Sequence, residues 1–358
     1  MKKYDNYKDS GIEWIGEIPT NWNIKKLKFI SKICNGQDQK AVLDDNGIYP
    51  VYGSGGIFGK ANSYLFDKPS VLLGRKGTID KPQYVEEPFW TVDTSYYTKI
   101  HDGFSVRLFY YLCTTINFEL YKYGSAIPSM TQGHLNEIKF AIPETFDEQI
   151  ILANYLDHKT TQIDHLIAKK VQFIQLLEEE RVAVINQAVT KGLDPSVPMK
   201  DSGIEWLGEI PEHWELKRMK YLCDVTTGGK DTENREDDGE YPFFVRSQTI
   251  EKISTYSFDG EAILTAGDGV GVCKVWHYVN EKFDFHQRVY MMSNFQPVLG
   301  KYLFYYLKEN FGKEVMKLSA KSTVDSLRRP MFQNFMVCFG SLEEQKQIIN
   351  LIEKEEVR

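Results

Sequence analysis

Cysteine is scarce in this chain and unpaired in pattern: Cys34, Cys113, Cys223, Cys273 and Cys338 are odd in number and never stand in Cys-x-x-Cys spacing. That argues against a disulfide or zinc framework and for reduced core thiols. No run of eighteen apolar residues occurs, so no spanning helix is expected. The polar stretch Met1 to Lys8 is not followed by an apolar run, so no signal peptide is expected and the cytoplasm is the expected compartment. Positive charge is also short: 43 Lys and Arg against 50 Asp and Glu give a formal net charge of −7, which weighs against a nucleic-acid binder with an openly basic face. The sum hides local excesses. Residues 60–81 hold five cations against Asp67 and Asp80, and residues 313–329 again hold five against two acids.

Catalytic patterns are missing as well. The seven histidines form no His-Glu-x-x-His set, and His158 and His165 sit seven apart on a helical stretch that reads as surface. Ser54 to Ala61, SGGIFGKA, lacks both the first glycine and the metal-binding hydroxyl of a phosphate loop. Glu215-Leu216-Lys217 resembles a nuclease Glu-x-Lys, but the corresponding residues earlier in the chain are Asn23-Ile24-Lys25. Neither a cofactor fingerprint nor an Asn-Pro-Pro-aromatic or Asp-Pro-Pro-aromatic loop is present. The expectation is a protein without an active site.

What the chain has is duplication. Lys8 to Trp22, KDSGIEWIGEIPTNW, returns as Lys200 to Trp214, KDSGIEWLGEIPEHW, with 12 of 15 positions identical at an offset of 192. A repeat at that distance marks two large related modules rather than a short-period solenoid. In the first, Ile48 to Tyr52, Val71 to Leu73, Phe89 to Thr98 and Leu135 to Ile142 read as strands. Val106 to Asn117 reads as a helix, and Tyr123 to Gly133 as a loop rich in Gly, Ser, Thr and Pro. The second follows the same order: Tyr241 to Val245, Ala262 to Gly271, Phe283 to Met292, and Tyr302 to Leu307 matching Leu108 to Leu112. Each is a mixed α/β module.

Between them, no Gly or Pro occurs from Phe146 to Lys191. Leu156, Ile163 and Leu177 fall on one seven-residue repeat, and Ile167 and Ile174 on an alternate seam, the pattern of a coiled-coil-like helix. At 1.5 Å per residue it would span roughly 60 Å, too long for one small domain to bury, so it needs a partner helix. The expected fold class is α+β. The expected domains are 1–146 and 192–341, with a helical spacer at 147–191 and, at 342–358, the start of a truncated second spacer helix.

The repeated DSGIEW[IL]GEIP lead-in, the GRKGTI turn, IPSMTQGHLNEIKFAIP, DEQIILANYLDHKTTQID and LDPSVPMKDSGIEWLGEIP together cover nearly the whole chain. As a set they resemble the specificity subunit of type I restriction-modification enzymes. The resemblance implies that each module is a target-recognition domain reading one half of a bipartite double-stranded DNA site. It implies a spacer of two long antiparallel helices, packed here through Leu156, Ile163, Ile167, Ile174 and Leu177. Two modification subunits would methylate adenine using S-adenosylmethionine, and motor-nuclease subunits using ATP and Mg would join for cleavage. No cofactor is expected on this chain.

Carried over residue by residue, the DNA candidates are Arg75, Lys76 and Thr78 in the first turn and Ser129, Thr131 and Gln132 in the SMTQ loop. In the second module they are Asp268, then His286, Gln287 and Arg288, which replace Thr94, Ser95 and Tyr96, and Lys321, Ser322 and Thr323. Because the modules differ most at these positions, an asymmetric target is expected. The second helix departs from the family pattern, so self-association through the unpaired long helix is a further expectation. The alternative is an interaction or decoy fragment that occupies modification subunits without productive DNA reading.

Overall fold

The computed structural model describes residues 4–123, 127–317 and 326–356. The chain separates into two compact units, Met1–Lys169 and Lys170–Arg358.

The first unit enters through a small hairpin, Tyr7–Asp9 against Glu17–Pro19. Gly11 and Gly16 take φ of +68° and +67° there, a left-handed backbone that glycine adopts without steric cost. Behind it, an antiparallel sheet runs in the order Ser31–Asn35, Ser95–Ile100, Ser70–Gly74, Gln83–Val85. A second sheet holds Gly56–Ala61, Tyr49–Gly53 and Trp90–Thr91. SGGIFGKA is therefore the turn and second strand of a hairpin, without the following helix that a phosphate loop needs. The core gathers Leu27, Leu73, Phe109, Leu135 and Phe140.

Two expectations for this unit change. Phe89 to Thr98 is two strands, not one. The Ser95 N–H donates to the Val92 carbonyl at 3.0 Å and closes a turn over Asp93 and Thr94, residue types that favour turns over strand continuation. The stretch 135–142 is likewise not all strand. Helix α1 (Val106–Thr114) is followed by a short helix α2 (Gln132–Glu137), whose start is capped by Thr131 Oγ1 accepting from the His134 N–H at 3.1 Å. The strand begins only at Lys139, as Lys139–Pro143 pairs with Trp22–Lys26.

Helix α3 (Phe146–Lys191) occupies the expected spacer stretch. Asp147 and Glu148 in its first turn suit the helix dipole, and Gly192 at φ +78° follows its last residue. Its early turns join unit 1, where Leu152 and Ala153 pack with Leu108 and, partly buried, Leu156. Its last turns join the core of unit 2 through Ile185, Ala188 and Val189. Between these ends Ile163, Ile167, Ile174 and Leu177 are 46–56% exposed.

The second unit repeats the entrance hairpin, Met199–Asp201 against Glu209–Pro211, in the same register, with Gly203 and Gly208 again left-handed. Its strands Asp224–Thr227, Val289–Ser293, Phe258–Ala266, Trp276–Phe285, Tyr241–Phe244 and Glu251–Ile253 form one six-stranded sheet in that order. The ten-residue strand Trp276–Phe285 reaches far enough to join what are two sheets in unit 1. Helices α4 (Gly300–Lys317), α5 (Arg329–Asn334) and α6 (Leu342–Glu356) complete it.

Both units are tied shut by the same two side chains. Gln149 Oε1 accepts from the Ser105 N–H at 2.9 Å while its amide donates to the carbonyls of Gly103 and Pro143. Gln345 Oε1 accepts from the Leu299 N–H at 2.8 Å while its amide donates to Pro297 and Gly340. One residue earlier, Glu148 accepts from the Trp22 indole at 3.0 Å and Glu344 from the Trp214 indole at 3.2 Å. These matching bonds explain why the lead-in tryptophan and the Glu-Gln pair recur together. No described helix is long and apolar enough to cross a membrane.

Candidate nucleic-acid interface

In unit 1 the loops at one end of the sheets are stitched together by backbone bonds. The Arg75 N–H donates to the Thr94 carbonyl at 2.8 Å, the Gly77 N–H to Pro128 at 2.9 Å, and the Met130 N–H to Arg75 at 2.9 Å. Lys76 and Ser129 form an isolated β-bridge. The hairpin tip packs on the same turn, since a Cβ on Gly77 would meet Ser54 Oγ at 3.3 Å. One small area therefore collects Ser54, Arg75, Lys76, Thr78, Thr131 and Gln132. Lys76 is exposed, while Arg75 is half-buried, its guanidinium donating to the Asp93 carbonyl at 3.3 Å. Gln132 donates to Asn35 Oδ1 at 2.9 Å. Ser129 is buried, its hydroxyl turned back on the Ile127 carbonyl, and Thr131 is spent on capping α2. Of the six candidates in this unit, Arg75, Lys76, Thr78 and Gln132 keep side chains at the surface.

Unit 2 makes the same stitches with different residues. The Gly267 N–H donates to Arg288 at 2.7 Å, the Leu327 N–H to Gly267 at 2.7 Å, and Asp268 bridges Ser326. Gly269, at φ +73°, stands where Gly77 stands at +84°. Matching bond for bond, Arg75 corresponds to Gly267, Lys76 to Asp268 and Thr78 to Val270, as the sequence repeat implies. The later segment departs from that alignment. The Val289 N–H donates to His286 as Ser95 does to Val92, and the His286 N–H to Phe244 as Val92 does to Tyr52. His286, Gln287 and Arg288 therefore stand in the places of Val92, Asp93 and Thr94, not Thr94, Ser95 and Tyr96. Two extra residues between Val270 and His277 cause the slip, since Leu72 pairs with Gln83 while Leu264 pairs with His277.

The chemistry around Asp268 is dense. Its carboxylate is paired with Arg246 Nη1 at 2.9 Å and with Arg288 Nη1 at 3.5 Å. His286 is 3% exposed, so its ring does not reach the surface. It accepts the Arg288 N–H on Nδ1 at 2.9 Å, with Nε2 3.7 Å from Asp231. Burial pulls its pKa below the ordinary value despite the opposing pull of Asp231, which suits the neutral ring that an accepting Nδ1 requires. Gln287 is exposed and donates to Asp231 at 2.5 Å. Lys321, Ser322 and Thr323 lie outside the described residues.

Three arginines escaped the sequence reading. Arg246 occupies the position of Ser54 at the hairpin tip. Arg328 and Arg329, both exposed, take the places of Thr131 and Gln132 at the start of α5. The offset of 192 that aligns Tyr49–Gly53 with Tyr241–Phe244 was enough to find Arg246. Among the described residues, no group of three or more His, Cys, Asp or Glu is placed to hold a metal ion.

Fold and loops thus define a class: a duplicated α/β protein whose two units build the same loop surface with different polar side chains. The chain belongs to the family described as the type I restriction modification DNA specificity domain, whose model matches residues 19–174 and 211–354. It is 29% identical over 143 residues to the EcoDI specificity subunit of Escherichia coli, covering 39% of this chain and 31% of that one. It is 26% identical over 162 residues to the EcoprrI specificity subunit of the same species, covering 44% and 40%. The chain thus matches less than half the length of these two relatives. Identity to the MjaVIII specificity subunit of Methanocaldococcus jannaschii is 25% over 411 aligned positions, covering 98% and 91%. A solved structure described as the structural basis underlying complex assembly and conformational transition of the type I R-M system matches with a TM-score of 0.72 at 12% identity, covering 95% and 91%. The HsdS subunit from Thermoanaerobacter tengcongensis matches at 0.56 and 11%, covering 98% and 91%. These two likenesses bear on the fold.

Proposed function

We propose that this chain is a sequence-reading subunit of a type I restriction-modification assembly, each unit contacting one half of an asymmetric, bipartite duplex DNA site. The supporting observation is the pair of loop surfaces held by the same backbone bonds and furnished with different side chains. A common scaffold with exchanged polar groups suits the reading of two different base sequences, since base identity is read by side-chain donors, acceptors and methyl contacts. The chain itself performs no chemistry on DNA. Adenine methylation, which needs the base outside the stack, belongs to modification subunits carrying S-adenosylmethionine, and cleavage to motor-nuclease subunits using ATP and Mg. The exposed seam of α3, with Ile163, Ile167, Ile174 and Leu177, offers a second helix the apolar contact it needs, from a modification subunit or another copy of this chain.

Co-expression with a modification subunit, followed by genome-wide mapping of methylated adenines, tests the reading. A single bipartite motif with unlike halves is expected. A stable complex that methylates nothing would replace it with the decoy reading, in which modification subunits are occupied without productive recognition.

A further inference from the structure

Unit 2 carries a charge arrangement that the described residues of unit 1 lack. One aspartate is shared by two arginines from different segments: Arg246 at the hairpin tip and Arg288 on the turn before Val289–Ser293. The Asp268 side chain is 20% exposed, while those of Arg246 and Arg288 are 45% and 63% exposed. The backbone of the set is fixed too. The Arg288 carbonyl accepts from Gly267, its N–H is held by the buried His286 ring, and Asp268 bridges Ser326. Two guanidiniums against one carboxylate leave an excess positive charge. Each guanidinium has five donors in a rigid fork, so most donors remain free. Arg246 and Asp268 line an open cavity of about 350 Å³ that also includes Thr232, Ser247 and Val270. Val270 is 94% exposed on the turn after left-handed Gly269, an apolar side chain held in water beside the charges.

We propose that Asp268 is a positioning residue that aims Arg246 and Arg288 at guanine edges in the half-site read by unit 2, with Val270 meeting a thymine methyl group. This rests on the DNA-reading function proposed above. A pinned fork matches the two major-groove acceptors of guanine, O6 and N7, in a way that a mobile cation does not. A carboxylate already engaged by two guanidiniums has little capacity left for a cytosine amino group, so Asp268 orients the readers and does not itself read. The corresponding residues of unit 1, Ser54, Thr94 and Lys76, form no such set, so the guanine requirement falls on one half-site.

The test uses the full chain assembled with its modification subunits, methylation mapping, and duplex binding across a salt series. Arg246→Ala and Arg288→Ala should each relax one guanine position in one half-site, with roughly 10- to 100-fold loss of discrimination there, and leave the other half-site unchanged. Arg246→Lys should keep the salt dependence and still lose the discrimination. Asp268→Asn should relax both guanine positions, yet change nothing further in the Arg246→Ala/Arg288→Ala background, an outcome that a general structural role would not give. Val270→Ala should weaken a thymine preference beside them. Thermal melts matching wild type confirm that the exposed arginines can be removed without unfolding. If the arginine variants lose affinity equally for all sequences, with a salt slope shallower by about one phosphate contact each, the two arginines hold phosphate and the proposal fails. An unchanged motif also overturns it. A wild-type assembly with no bipartite motif removes the wider reading, and this inference with it.

Discussion

Unit 1 carries its cations on the central turn, Arg75 and Lys76, and flanks them with Ser54, Thr94, Thr131 and Gln132. Unit 2 puts Gly267 and Asp268 on the turn and surrounds them with Arg246, Arg288, Arg328 and Arg329. The positive charge has moved outward by one segment on every side, while the bonds that shape the loops stay the same. Those bonds run from backbone to backbone, so they are indifferent to the side chains they carry. Side chains can be exchanged at these positions without loss of the scaffold. At the opposite end of each unit the reverse holds: the Trp–Glu tie and the buried glutamine are side-chain bonds, and there the two copies keep the same residues.

The first way to break this comparison is to strike the shared framework. Gln345 is fully buried and Gln149 nearly so, and each satisfies one N–H and two carbonyls that would otherwise be orphaned. Gln345→Ala and Gln149→Ala should each cost about 2–4 kcal/mol, from the unmade bonds and the space left behind. Urea unfolding of the two variants should show similar losses. A loss confined to one unit would mean that the two frames are not equivalent.

The second probes where the frames do differ. Trp206 stacks on Phe335 with centroids 5.6 Å apart and planes 15° apart, and its edge meets Tyr306. Its counterpart Trp14 is 53% exposed. Trp206→Ala should cost about 2–3 kcal/mol, somewhat below a fully buried tryptophan, whereas Trp14→Ala should stay within about 0.5 kcal/mol. Equal losses in the isolated chain would show that Trp14 is buried in solution.

How much of this could be read in advance follows from the same division. The framework was legible because its parts are local or identical: left-handed glycines, a repeated tryptophan, a Glu-Gln pair, a helix without Gly or Pro. The reading surface was legible only in part. Arg75 and Lys76 sit on a turn that follows a plainly apolar strand. Nothing local marks Arg246, which enters the same area because Tyr241–Phe244 pairs with a strand forty residues later; only the repeat offset of 192, which sets it opposite Ser54, makes it legible in the sequence. The two-residue slip at His286 originates between Val270 and His277, ahead of most of Trp276–Phe285, since Leu72 pairs with Gln83 while Leu264 pairs with His277. The shared Tyr-Val-x-Glu-x-Phe of residues 84–89 and 278–283 marks it in the sequence. The LFYYL match is similarly one residue out, since Gln149 and Gln345 place Ser105 opposite Leu299. His286 reads as a surface donor beside Gln287 and Arg288, but it sits just past Trp276–Phe285, bridged to Lys230 and bonded to the Phe244 carbonyl, and is buried there.

The smallest effect separates the two lead-in ties by pH. Glu148 accepts from the Tyr4 hydroxyl, Asn21 and Trp22, whereas Glu344 closes a cap with Ser341 and accepts from His213 and Trp214. Burial alone would raise the Glu344 carboxyl, but the bonds from His213, Ser341 and Trp214 outweigh it and hold the pKa at about 2. A pKa depressed in the folded state contributes stability above the unfolded value of about 4.3 and loses it as pH falls toward 2. Glu344→Gln should therefore lower stability at pH 7 by about 1–2 kcal/mol, a figure reduced for the third of the side chain open to solvent. The gap from wild type should close steadily between pH 4.5 and about 2. Urea midpoints at pH 7, 4 and 3 measure it. A gap that stays constant with pH would show that Glu344 acts through the shape and geometry of its bonds, which the amide does not reproduce, rather than through charge.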